Sequence, residues 1–121
     1  MITGINHVQV TIPFGTEEDA RYFYCDVLGL TEIEKPNVLK KNGGIWLQLG
    51  SLQVHLGCEN NDHRADSKAH IAYNVSDLDM FRAKFDKLGV KIYENTQIEG
   101  FKRFDIRDPF GNRIELMQPN A

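Results

Sequence analysis

His7, His55, His70 and Glu115 are the residues whose types and spacing could do concerted chemistry in this chain. His7 and His70 stand 63 positions apart, and His55 and Glu115 stand 60 apart, so nearly one offset relates both pairs. Three imidazoles and a carboxylate are a donor set for a first-row divalent ion such as Ni, Zn, Mn, Co or Fe(II), and suit the all-oxygen preference of Ca or Mg less well. His7, His70 and Glu115 alone would make a facial triad with open positions. With His55 added, an octahedral ion still keeps two positions for water or substrate. Either site is open, which is the arrangement of catalysis more often than of structure.

The elements that must carry these residues repeat. Asn6–Ile12 and Ala69–Val75 both alternate, and each sets a histidine before a β-branched residue. Each is followed by a helix start, Thr16 with Asp19 and Ser76 with Asp79, read as an N-cap with an acid three residues on. Ala20, Phe23, Tyr24, Val27 and Leu28 then keep helical spacing, as do Leu78, Phe81, Phe85 and Leu88. Gly29 and Gly89 close the two helices where a left-handed residue is wanted. Three strand-like stretches follow each helix, at about 31–36, 44–49 and 51–57, and at about 91–97, 102–107 and 112–118. The expectation is an α+β fold of two βαβββ modules paired into a cupped eight-stranded mixed sheet with helices on its outer face. Module one spans about 1–58, a connecting loop about 59–67, and module two about 68–121.

Period-two alternation assigns the faces. Val8, Val10, Ile12, Leu52, Val54, Leu56, Ile71, Tyr73, Val75, Ile114 and Leu116 go to the helix side. His7, Gln9, Gln53, His55, His70, Arg113, Glu115 and Met117 go to the other. Trp46 and Gln48 join the second face, with Arg103, Asp105 and Arg107. If the sheets curve toward each other, the four ligand candidates converge from four strands. Gln9, Trp46, Gln48 and Arg103 are then the substrate-facing candidates. Arg103 could clamp an anionic oxygen bidentately, and Trp46 could stack an apolar substrate.

Composition narrows the classes. The 121 residues suffice for one globular domain and not for two independent ones. With 14 Lys and Arg against 17 Asp and Glu, the net charge of −3 offers no cationic excess for nucleic acid. No apolar run approaches a membrane span, no export signal is visible, and Cys25 and Cys58 form neither a CxxC pair nor a disulfide framework. A cytoplasmic protein binding a small molecule, with no nucleic-acid or membrane partner, is expected.

These pieces resemble the vicinal oxygen chelate superfamily of glyoxalases, bleomycin-resistance proteins and extradiol dioxygenases. The resemblance is carried by His7-Val8, Phe23-Tyr24 through Leu28-Gly29-Leu30, Leu52–Leu56, Ala69–Ala72 and, most specifically, Asp108-Pro109-Phe110-Gly111-Asn112-Arg113-Ile114-Glu115-Leu116. It implies paired modules, a homodimer, a divalent transition metal, and ligand roles for His7, His70 and Glu115. The implied activity is metal-dependent chemistry on a substrate that chelates through adjacent oxygens, glyoxalase-like lyase or isomerase chemistry first. Glu115 or His55 would move the proton. In glyoxalase I a glutamate stands where this chain has His55. The alternatives are a non-catalytic drug- or metabolite-binding protein of the bleomycin-resistance type and a thiol transferase of the fosfomycin-resistance type.

Overall fold

The structure is a computed structural model and describes residues 1–120. It divides into two compact units, Met1–Asp62 and a second beginning at His63. The first runs β1 (His7–Ile12), α1 (Glu17–Arg21), β2 (Thr31–Ile33), β3 (Ile45–Leu49) and β4 (Leu52–Cys58). The second repeats the order as β5 (His70–Asn74), α2 (Leu78–Leu88), β6 (Tyr93–Glu94), β7 (Phe101–Arg107) and β8 (Arg113–Pro119). Each unit is therefore βαβββ around its own four-stranded mixed sheet, ordered β1-β4-β3-β2 and β5-β8-β7-β6. In both, the first strand pairs in parallel with the last, and the other pairings are antiparallel. Among the described residues no helix is long and apolar enough to cross a membrane.

The alternation predicts the cores. Ile12, Ile45, Leu47, Val54 and Leu56 are buried in the first unit with Ala20, Phe23, Tyr24 and Val27 from its helical segment. Tyr73, Phe104, Ile106, Ile114 and Leu116 are buried in the second with Leu78 and Phe85. Phe85 meets Phe104 edge-on at 6.1 Å, which keys α2 to the middle of its sheet. Burying such a ring contributes about 1.5–3 kcal/mol. The guanidinium of Arg82 lies over the same Phe104 ring and also pairs with Glu94. Arg21 and Glu32 make the corresponding helix-to-strand pair in the first unit.

The helix ends depart from the expected pattern in three ways. Thr16 does not cap, because its hydroxyl donates to the Pro13 carbonyl at 2.6 Å. The α2 cap is Asp77 rather than Ser76, its carboxylate accepting from the Met80 amide at 3.1 Å. Finally, α1 lasts five residues and continues as a π-helical turn over Tyr22–Val27. The wider turn closes with Leu28 N–H donating to the Phe23 carbonyl, five residues back, at 2.9 Å. It keeps Phe23, Tyr24 and Val27 all buried. Gly89 takes the left-handed conformation at the α2 terminus as expected, with φ of 74°.

Candidate functional site

In the first unit, β1, β4 and β3 set Gln9, His55 and Trp46 side by side on the sheet face away from the helix. The His55 imidazole is only 4% exposed because it is sandwiched: Trp46 stacks on it at 3.9 Å and 4°, and His7 at 4.1 Å and 17°. Burial, then the neighbouring His7 and Lys35, hold the His55 pKa below the ordinary imidazole value. Its Nε2 bonds the Gln53 side-chain oxygen at 2.9 Å, so that nitrogen carries the proton and Nδ1 is bare. His7 is arranged the other way. Its Nδ1 donates to the Asn6 side-chain oxygen at 2.9 Å, which leaves Nε2 as its lone-pair nitrogen.

In the second unit, Ala72 on β5 pairs with Glu115 on β8, and His70 stands two residues before Ala72. His70 Nδ1 donates to the Lys68 carbonyl at 2.8 Å, and its Nε2 faces Glu115 Oε1 at 3.2 Å. Two acceptor atoms thus point at one another, an arrangement that calls for a cation between them, either a proton or a metal. An imidazole nitrogen and a carboxylate oxygen are also donor types that would hold a first-row ion. Glu115 is buried, and its second oxygen accepts from Arg103 Nη1 at 3.0 Å. Arg103 spends Nε and Nη2 on the Thr96 carbonyl, at 2.9 and 2.6 Å. Oriented lone pairs on His7 and His70, each fixed by a hydrogen bond at the opposite ring nitrogen, match the way metal-ligating histidines are held. The donor chemistry therefore fits a divalent transition ion. His7 stands in the first unit and His70 and Glu115 in the second, and among the described residues no group of three or more His, Cys, Asp or Glu is drawn together to hold a metal.

The remaining expected residues sort as follows. Trp46 lies on the expected face, but one face of its indole is taken by His55. Gln9 is exposed beside His55. The Gln48 amide nitrogen donates to the Gly50 and Leu52 carbonyls, so it ties down the β3–β4 turn. Asp105 takes Arg113 at 2.8 Å, and Arg107 Nη1 gathers the carbonyls of Arg64, Ser67 and Gly111. The orienting residues Asn6 and Gln53 were not marked as functional by the sequence. Gln53 could have been, since period two sets it on the histidine face two residues from His55.

A family model described as the Glyoxalase/Bleomycin resistance protein/Dioxygenase superfamily matches residues 4–116. No curated protein matches the chain. Among solved structures, a Bacillus anthracis protein described as of the glyoxalase family is 42% identical, with a TM-score of 0.91 over 99% of this chain and 98% of that one. Lactoylglutathione lyase from Agrobacterium tumefaciens is 20% identical, with a TM-score of 0.75 over 98% and 95%. A variant of the fosfomycin resistance protein FosX from Listeria monocytogenes, complexed with Mn(II) and 1S,2S-dihydroxypropylphosphonic acid, is 18% identical, with a TM-score of 0.81 over 100% and 95%. The last two share the fold alone. On the family model and the Bacillus anthracis structure, the chain belongs to the Glyoxalase/Bleomycin resistance protein/Dioxygenase superfamily.

Proposed function

We propose that this chain is a metal-dependent enzyme of the vicinal oxygen chelate type, acting on a small substrate with two adjacent oxygens by glyoxalase-like isomerase or lyase chemistry. The observation that carries the reading is the facing pair of acceptors, His70 Nε2 and Glu115 Oε1, 3.2 Å apart with His70 Nδ1 already spent. The FosX neighbour, which holds Mn(II) with a vicinal dihydroxy phosphonic acid, supports it by likeness of fold. His7, His70 and Glu115 would hold the divalent transition ion. His55, expected either as a fourth ligand or as a base, is assigned the base role in this proposal; its bond to Gln53 leaves Nδ1 with the lone pair that role needs.

A bound ion supplies Lewis acidity to the two substrate oxygens and so acidifies the adjoining C–H bond. His55 Nδ1 takes that proton from one carbon and returns it to the next, so the net change is an isomerisation with no atom gained or lost. Arg103 braces Glu115 and turns its remaining N–H groups to an anionic substrate oxygen. Trp46 holds the His55 ring flat, Gln9 contacts the substrate beside it, and Gln48 offers only its side-chain oxygen. The working form is a homodimer.

The test is calorimetric titration of metal-free protein with Mn(II), Ni(II) and Zn(II), followed by turnover of the hemithioacetal of methylglyoxal and glutathione. Tight stoichiometric uptake is expected, lost in His7→Ala, His70→Ala and Glu115→Gln. In His55→Gln, kcat should fall while metal affinity holds. Absence of stoichiometric uptake, with small-molecule binding intact in His7→Ala, would instead identify a non-catalytic binding protein.

A further inference from the structure

The two units differ most where β2 crosses to β3. In the second unit the matching connection, from Glu94 to Phe101, is residues 95–100. In the first it is residues 34–44 and contains a 3₁₀ turn over Asn37–Asn42. The added length walls a hollow of about 650 Å³ on the histidine face, lined by Lys35, Leu39 and Asn42 on the excursion and by Gln9, Trp46 and Gln53 on the sheet. Lys35 is the one Lys, Arg, Asp or Glu of this lining.

Lys35 is half-buried, and its ammonium donates to the Gly43 carbonyl. That bond uses one of three protons and leaves two for a ligand. The Glu17 carboxylate, which feels the Lys35 charge, is already engaged, accepting from the Gly44 amide at 3.0 Å and from the Cys58 thiol at 3.7 Å. The excursion is also anchored. Gly44 has φ of 82°, and a Cβ there would sit 2.1 Å from the Leu56 carbonyl of β4, so the chain passes tight against the sheet. A half-buried ammonium, carboxamides at Gln9, Asn42 and Gln53, and apolar surface at Leu39 and Trp46 together define a ligand class. It is a compact organic anion, a carboxylate or phosphonate, on a flat or apolar body.

We propose that residues 34–44 build a substrate subsite in the first unit in which Lys35 selects an anionic group. This deepens the reading above by giving the substrate its charge and rests on that reading for the word substrate, but its test needs no metal. The chain has a single tryptophan, Trp46, inside the subsite, so its fluorescence reports occupancy. Benzoate and benzamide, alike in shape and different in charge, are titrated into the metal-free full chain. Benzoate should bind at least about tenfold tighter, since a charge-assisted hydrogen bond is about twice as strong as a neutral one. That preference should vanish in Lys35→Met and Lys35→Gln and survive in Lys35→Arg, with folding of each variant checked by thermal melting. Equal binding of the two probes, no response to benzoate, or a preference that persists in both neutral variants overturns the proposal. Mn(II) calorimetry on the same wild-type sample separates the two ideas. Benzoate preference without Mn(II) uptake sinks the metal reading and keeps the subsite, and uptake without preference does the reverse.

Discussion

Replacing Tyr73 by phenylalanine should change how the protein meets alkali and leave its neutral-pH fold alone. Tyr73 sits on β5, three residues after His70, and is 7% exposed. Burial first, and the nearby Asp108 carboxylate second, push its phenol from 10.0 up to about 12. Both causes penalise the tyrosinate in the folded chain, whereas the unfolded chain ionises near the ordinary value. The folded pKa is raised, so the stabilisation is complete below pH 10 and is lost as pH rises from about 10 to about 12. Two units at about 1.36 kcal/mol each give a loss of about 2.7 kcal/mol. Urea melts of wild type and Tyr73→Phe at matched pH values read this directly, because every other titrating group is shared and cancels in the difference. The variant should gain about 2–3 kcal/mol on wild type across that window, with m unchanged. A stability difference that stays flat from pH 9 to pH 12 would show that the phenol ionises freely in the folded state and refute the argument.

Removing the Asn6 side chain should weaken Mn(II) binding about tenfold, because His7 loses the acceptor that fixes its tautomer. Calorimetry checks this, and unchanged affinity would remove Asn6 from the site. Gly44→Ala should cost about 2–5 kcal/mol in urea unfolding, combining a left-handed φ with a Cβ driven against the Leu56 carbonyl. A loss under about 1 kcal/mol would mean the excursion is not pinned there. Asp108 accepts from the Phe110 and Asn112 amides and the Asn112 side chain. Asp108→Ala should therefore cost about 2–4 kcal/mol. Asp77→Ala should cost about 1 kcal/mol, and Ser76→Ala almost nothing, if Asp77 is the α2 cap.

What could be read from residues alone follows from what is periodic. Alternation along β1, β4, β5 and β8 separated Val54 and Leu116 from His55 and Glu115, since one buried sheet face fixes register for every residue on the strand. The internal offset placed matching strands and helices because both halves solve the same packing problem. What escaped depends on single local contacts. Thr16 and Ser76 have the composition of caps, but one hydroxyl found the Pro13 carbonyl and the other lost to its neighbour Asp77. The π turn hangs on one extra residue within an apolar spacing that reads as α-helical either way. The Lys68 carbonyl that fixes His70 is backbone and has no residue-type signature. Lys35 fell in a stretch read as strand over about 31–36, but the strand ends at Ile33, and nothing in the pattern marks which side chain of the excursion turns toward the sheet.

His7 and His70 each open an outermost strand, β1 and β5, whose far side has no neighbouring strand in its sheet. Such ends are the first to peel away in thermal breathing. A ligand held by either ring therefore also pins the free start of that ring's own strand, and amides of the opening residues of β1 or β5 should exchange with deuterium more slowly once it is bound.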